Sequence, residues 1–282
     1  MLKGKTAKEQ FGNSVKVKKV TVDDLESSYC CITDTPSGAS WSEALPESRK
    51  WFRNNLGKHV EGYHLLDGDR VIGHIYWEAS EKALIPYRTE PKVACIYCTE
   101  MLHDYVHKGC GKTMFDFMKD DLKKRGYKGI MVDATSIKEF MHYEHFMKQG
   151  FRVIKEHDPF KLMYFPLLKQ TVEAETLEPN YKPSRDKVEV TLFNNFFCPV
   201  GAYMYQLFKK VAQGFGDKVK IVEIEATPET MQKYGTSELL INGKIKIFGP
   251  ASERDVQKAI QEEIEQFKKQ FLPNNSAQQD RT

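Results

Sequence analysis

The sequence predicts a mixed α/β (α+β) chain in two domains, and three observations carry that reading. Residues 93–133 spell strand, glycine turn, amphipathic helix, strand. Two hairpin signals, Asp67-Gly68 and Asn242-Gly243, each sit between apolar runs. Between those hairpins, residues 169–186 are polar and hold Pro179 and Pro183, the composition of a linker. The expected layout is a domain at 1–168, a linker at 169–186, a smaller domain at 187–272 and a polar tail at 273–282.

In the first domain, residues 15–22 partly alternate and read as a strand. Asp23 or Asp24 is placed to cap a helix over Leu25 to Cys31. After the polar run 33–40, a second helix is expected from Trp41 to Leu56, ended by Gly57. Residues 62–78 form a hairpin turning at Asp67-Gly68. The apolar run Val93–Cys98 is a buried strand, and Gly129–Asp133 is another. Between them Met114, Phe115, Met118 and Leu122 recur at helical spacing, with charges on the other face. Lys123, Lys124 and Arg125 suit the negative end of the helix dipole, and Gly126 stops the helix. A helix from Ser136 to Phe146 follows, then Lys148–Val153 leading to a strand, then a last strand at Lys161–Leu168.

The turn Tyr105-Val-His-Lys-Gly-Cys-Gly-Lys112 precedes the central helix. A helix opening on bare backbone N–H groups, with no Cβ at two positions, is an anion site, and phosphate is its usual occupant. Gly111-Lys112-Thr113 looks like the end of a P-loop, but that motif needs a glycine where Val106 stands. A dinucleotide fingerprint needs a glycine where Met114 stands.

The second domain reads as strand Val188–Phe193, a helix after Phe197-Cys198-Pro199-Val200-Gly201 running through Val211, and strand Val219–Ile224. Thr227 caps a short helix with Pro228 at its first position. A hairpin over Leu239–Phe248 and an amphipathic helix from Ser252 to Phe267 complete it.

The turn at 105–112 resembles motif A of the GNAT family of N-acetyltransferases, with Val106 standing where that family usually has Arg or Gln. The element order over 15–168 is similar too, and Lys148-Gln-Gly-Phe151 resembles the end of the family's motif B. The resemblance implies acetyl-coenzyme A as cosubstrate. Its pyrophosphate would lie on the backbone of His107, Lys108, Gly109, Cys110, Gly111 and Lys112, with Lys112 and Thr113 adding side-chain contacts. The pantetheine arm would follow Met101 and Leu102, and Glu139 stands where the family often has Asn facing the cofactor. The solvated-loop alternative stays open for the side chains of His107 and Lys108.

Acetyl transfer to an amine needs a polarised thioester, a neutral amine and a protonated leaving thiolate. The family's usual acid is a Tyr four residues before the motif B glycine, and here that position is Phe146. Tyr143, nearly one turn earlier on the same face, is the candidate acid, with simple packing as the alternative. Glu100 at the strand end is one candidate base, with simple solvent exposure as the alternative, and His103 is another.

The second domain's element order resembles a thioredoxin fold, with Cys198 at the place of the reactive cysteine. Gly201 occupies the second cysteine position and Ser237 that of the usual proline, which excludes an internal dithiol cycle. A helix N-terminus would lower the pKa of a single Cys198 thiol, and a degenerate domain used for acceptor binding or dimer contact is the alternative. The two domains together are similar to the bacterial YoaP-type acetyltransferases. The function expected is direct acetyl transfer to the amine of a small molecule or amino-acid derivative. A degenerate acyl-coenzyme A-binding or sensing protein and a thiol-handling protein centred on Cys198 are the alternatives.

Composition sets the outer bounds. An apolar fraction of 40% in 282 residues supports real cores, and a net charge of +3 gives no footprint for nucleic acid. The polar N-terminal residues have no apolar signal core and no run reaches membrane-spanning length, so a cytoplasmic protein is expected. The six cysteines are then thiols. Cys95 and Cys98 lie three apart on one strand and should point to opposite faces, so no metal site is expected there. Amphipathic helices leave surfaces for a homodimer.

Overall fold

The computed structural model describes residues 15–33, 40–138, 140–169, 172–247 and 249–271. They form two compact units, one built on the N-terminal strand and Arg49–Thr176, the other on Ser40–Ser48 and the chain from Leu177. The mixed α/β (α+β) class expected from the sequence is the class observed.

In chain order the first unit's strands are β1 (Val15–Lys19), β2 (Val60–Asp67), β3 (Arg70–Ala79), β4 (Tyr87–Thr89) and β5 (Val93–Met101). They continue as β6 (Gly129–Thr135), β7 (Arg152–His157), β8 (Phe160–Pro166) and β9 (Ala174–Thr176). Seven of them form one sheet in the order β1-β2-β3-β5-β6-β8-β7, and β4 pairs with β9 separately. The α-helices of the chain up to Thr176 are α1 (Cys30–Thr33), α2 (Leu45–Asn55), α3 (Cys110–Lys124) and α4 (Tyr143–Lys148). Among the described residues of the large sheet only β5 and β6 run parallel, and α3 is the crossover that a parallel pair requires.

The helical periodicity of α3 becomes packing. Met114, Phe115, Met118 and Leu122 are all buried, and they join Trp77, Ile96, Ile130 and Val132 of the sheet in the main core. Each such side chain contributes about 1.5–3 kcal/mol by leaving water. Gly126, with φ of 77°, ends the helix in the left-handed region as its position suggests.

Several expectations are corrected. The helix over 25–31 is a 3-10 turn at Val22–Ser27 followed by the short α1, because Asp24 accepts from both the Thr21 amide and hydroxyl, each at 2.8 Å, and tightens the first turn. The helix over 41–56 divides into a 3-10 turn at Ser40–Ala44 and α2, with Pro46 at the second position of α2. The helix from 136 to 146 forms only from Tyr143. The Thr135 hydroxyl engages the carbonyls of Ile137 and Phe140, and Met141 takes a φ of 45°, so the chain before α4 is held as a loop. The linker is not wholly a linker: β9 pairs with β4, Thr89 donates to the Glu173 carbonyl at 3.0 Å, and Val172 is buried.

The second unit holds β10 (Val188–Phe193), α5 (Pro199–Gln213), β11 (Val219–Ile224) and α6 (Pro228–Tyr234). It continues with β12 (Leu240–Ile241), β13 (Lys244–Ile245) and α7 (Glu253–Phe271). Its sheet order is β11-β10-β12-β13, parallel at β10–β11 and antiparallel elsewhere. The expected hairpin turn is present, with Asn242 at φ 52° and Gly243 at φ 75°, the paired left-handed residues of a tight two-residue turn. The hairpin strands are shorter than the run 239–248, and Phe248 lies outside the described residues. Val190, Leu192, Phe208, Ile241, Val256 and Ile260 are buried in a core of its own.

Candidate functional site

The site is organised by the place where β5 and β6 part. The two strands pair only over Val93–Ile96 and Gly129–Val132. Beyond that, among the described residues, β5 pairs with β3, and β6 pairs with β8 and, at Thr135, with His142 in a single parallel bridge, so the two strands diverge from residue 97 on. The chain leaves β5 through Leu102, buried and held by its amide on the Ile72 carbonyl at 2.9 Å. A 3-10 turn at His103–Tyr105 follows, and the Tyr105 hydroxyl donates to Asp67 at 2.9 Å, tying this loop to the β2–β3 turn.

The loop then enters α3 through two left-handed residues, His107 at φ 62° and Gly109 at φ 80°. A non-glycine residue at such a φ is uncommon, and here it turns the chain so that α3 starts at Cys110. No side chain caps this end. The Thr113 amide is bonded to the Gly109 carbonyl at 3.1 Å, so the amides of the first turn, at Cys110, Gly111 and Lys112, have no acceptor within the helix. They carry the positive end of the helix dipole. A Cβ on Gly111 would lie 3.4 Å from His145 Cε1 and 3.9 Å from Gln149 Nε2, so that glycine also lets α4 approach.

The expected side chains divide by what they touch. His107 and Lys108 are exposed. Lys112 pairs along the helix with Asp116, and the Thr113 hydroxyl bonds back to the Gly109 carbonyl at 3.3 Å. Cys110 is buried in the main core, and that burial pushes its thiol up. Met101 packs against the same core. Glu139 lies outside the described residues. Phe146, at the usual acid position, is fully buried against Phe115 and Phe151. Tyr143 is half-buried, with the Lys161 ammonium 5.2 Å above its ring. His103 is exposed.

Glu100 stands opposite His74 in the β3–β5 register, and its carboxylate accepts the Met101 amide at 2.9 Å. It therefore shares a sheet face with His74, Tyr76 and Cys98, the face that α1 covers, while Ile75 and Trp77 point toward α3. That face is polar and dense. His74 contacts two thiols, Cys30 at 3.2 Å and Cys98 at 3.3 Å, and stacks on Tyr76 with ring centroids 4.2 Å apart. The Tyr76 hydroxyl meets His64 Nε2 at 3.0 Å and accepts the Tyr29 amide at 3.1 Å. Burial holds His74 well below the usual imidazole range and brings His64 down to about 4. Farther along the same strand Glu78 is buried, accepts the Tyr97 hydroxyl at 2.6 Å, and is pushed up to about 8 by burial.

Cys95 and Cys98 do not point to opposite faces. Tyr97 is an extra residue in β5, a bulge, so Cys95 sits opposite Glu78 and Cys98 opposite Tyr76, two residues apart on β3. Sequence reasoning missed His74, Cys30 and the Glu78–Tyr97 pair. The available signal was the hairpin register, which places His64 near His74, but a second bulge shifts it by one residue. No group of three or more His, Cys, Asp or Glu among the described residues is arranged to hold a metal ion.

Cys198, in the second unit, is the N-cap of α5. The amides of Val200 and Gly201 pull its thiol pKa down, yet without forming a full cap hydrogen bond. The residue keeps intermediate exposure, but the thiol is desolvated, and burial outweighs the amides and pushes it up. No helix among the described residues is long and apolar enough to cross a membrane.

No protein-family model and no curated protein matches the chain. Solved structures do. The PaiA N-acetyltransferase of Thermoplasma acidophilum, in complex with coenzyme A, is 17% identical over 54% of this chain and 99% of that one, with a TM-score of 0.43. The ribosomal-protein-S18-alanine N-acetyltransferase of Escherichia coli is 15% identical over 56% and 96%, with a TM-score of 0.41. Spermidine N-acetyltransferase of Vibrio cholerae, a dodecamer, is 12% identical over 55% and 95%, with a TM-score of 0.41.

Proposed function

We propose that the first unit is a GNAT-type N-acetyltransferase domain that moves the acetyl group of acetyl-coenzyme A directly to the amine of a small molecule or amino-acid derivative. The observation that carries this reading is the start of α3, which no side chain caps, entered through left-handed His107 and Gly109, beside the place where β5 parts from β6. The amides of Cys110, Gly111 and Lys112, which have no acceptor within the helix, suit a pyrophosphate, and the cleft where β5 leaves β6 suits an extended amide-bearing arm. Glu100, on the face that α1 covers, is the group we assign to take the proton of the amine. Tyr143 is the proton donor for the leaving thiolate in this reading. The second unit, with its β10–α5–β11 and β12–β13–α7 halves, is read as a degenerate thioredoxin-like domain of the YoaP type.

Calorimetric or thermal-shift titration with acetyl-coenzyme A tests it. Ligand at ~100 times its dissociation constant should add about 2.7 kcal/mol to the stability of the unit it binds. The shift should vanish in Gly111→Glu, which places a carboxylate among the amides while its Cβ just meets His145. A folded wild type with no shift sinks the reading. A second reading is favoured by Phe146, a buried ring with no hydroxyl proton to give at the position where the resemblance implies the acid: a protein that binds the acyl-coenzyme without turnover. Release of coenzyme thiol with any amine in a screen excludes it.

A further inference from the structure

The sheet face that α1 covers carries a thiol–imidazole–thiol row for which the reading above has no use. Cys30 Sγ lies 3.2 Å from His74 Nδ1, and Cys98 Sγ lies 3.3 Å from His74 Nε2. The His74 ring is fully buried and stacked on Tyr76 with only 10° between the planes, which fixes its orientation. Its nitrogens face opposite ways, so the two sulfurs cannot meet one metal ion through this ring. The row is a hydrogen-bonded line instead. A neutral imidazole donates from one nitrogen and accepts at the other. Burial keeps His74 neutral, and in the tautomer that carries its proton on Nδ1, directed at Cys30, Nε2 accepts from the Cys98 thiol.

The two thiols differ in access. Cys30 is 2% exposed, whereas Cys98 is only half-buried. Cys98 also follows the Tyr97 bulge, on the stretch of β5 that has left β6. A nucleophile, a base within hydrogen-bond reach and a third group orienting the base are therefore in line.

We propose that Cys98 is a nucleophilic acyl-acceptor site for thioesters, with His74 as its base and Cys30 as a positioning residue. The natural donor, acetyl-coenzyme A, rests on the reading in the preceding section. Cys98 Sγ attacks the thioester carbonyl carbon while its proton passes to His74 Nε2, giving an imidazolium that burial makes short-lived. The bond from that carbon to the donor sulfur breaks, and the leaving thiolate takes the proton from Nε2. The products are S-acetyl-Cys98 and a free thiol, with no change of oxidation state. When an amine is bound, direct transfer competes; without one, the acyl group stops on Cys98.

The test incubates the full chain with acetyl-coenzyme A, or separately with the S-acetyl thioester of N-acetylcysteamine, and no amine. Peptide mass spectrometry then locates the acetyl group, and thermal shift follows coenzyme binding. We expect one acetyl group on Cys98, released by neutral hydroxylamine and absent in Cys98→Ser. Loading should slow about 10²-fold in His74→Gln, the lower range for a lost general base. Cys30→Ala should slow it less and move the pH profile of Cys98 alkylation, and Cys30→Ser should restore both. An unchanged loading rate in His74→Gln, or in Cys30→Ala where the former does not fold, overturns the proposal. So does a coenzyme-induced thermal shift with no acetyl on Cys98 from either donor, a result that leaves the acetyltransferase reading standing. Loading by the small thioester with no shift and no loading from the coenzyme does the reverse: the thiol site stands and the coenzyme reading falls.

Discussion

The two faces of the seven-stranded sheet are built from the same strands and differ in kind. Toward α3, Trp77, Ile96, Ile130 and Val132 meet Met114, Phe115 and Met118, and the interface is apolar. On the other face β2, β3 and the far end of β5 carry His64, His74, Tyr76, Glu78, Cys98 and Glu100, while Cys95 and Met131 beside them belong to a smaller apolar cluster. Strand alternation alone makes this division possible. The difference teaches where each property resides. The α3 face gives cohesion, because every methylene there leaves water. The α1 face holds hydrogen-bonded groups whose neutral forms burial enforces, and its contribution to stability depends on pH.

The largest expected effect tests the α3 face. Phe115→Ala removes a fully buried ring that touches Phe146 and Phe151, and should cost about 3–5 kcal/mol in chemical denaturation. A cost below 1 kcal/mol would mean that this face is not the cohesive one.

The next effect tests the α1 face through its protons. Glu78 has its pKa raised from 4.5 to about 8, so between those values the folded chain holds a proton that the unfolded chain has lost. More protons bound in the native state means that stability falls as pH rises through that window. His64 acts in the opposite sense: lowered from 6.5 to about 4, it makes stability rise with pH between those values. The two oppose each other up to pH 6.5, and above it only Glu78 is left. Stability should therefore drop by about 2 kcal/mol from pH 6.5 to 8, at roughly 1.4 kcal/mol per pH unit for one proton. Denaturation of Glu78→Gln over the same range should be nearly flat. A slope that persists in the variant would assign the effect elsewhere.

The α3 face was the legible one. Its helix advertises itself through apolar residues at helical spacing and glycines at both ends, signals that are local and survive folding unchanged. The α1 face was hidden by two bulges. The extra residue at Tyr97 reverses the facing of Cys98 relative to Cys95, and the shift between Leu65 and Leu66 moves the partner of His64. No composition or period records a bulge, because it is a choice made by pairing across strands. The loop before α4 was misread for a related reason: Thr135 captures two carbonyls that a helix would otherwise use, and that competition depends on β6. The start of α3 lies between these cases. Gly109 and Gly111 marked the turn, whereas the left-handed His107 was visible only in the structure.

The smallest expected effect separates the anion site at α3 from its surroundings. Lys112 is half-exposed and pairs along the helix with Asp116. An exposed pair of this spacing is worth about 0.3–0.5 kcal/mol. Lys112→Ala should thus change stability by no more than that, since α3 is anchored by its buried side. If the amides of the first turn hold the pyrophosphate, the same variant should weaken acetyl-coenzyme A by less than tenfold, because one exposed cation adds to a site that backbone donors already define. Titrations at low and high salt resolve the two contributions: the lysine's share fades with added salt. A loss of binding as complete as that expected for Gly111→Glu would mean that the side chain, not the helix end, makes the site.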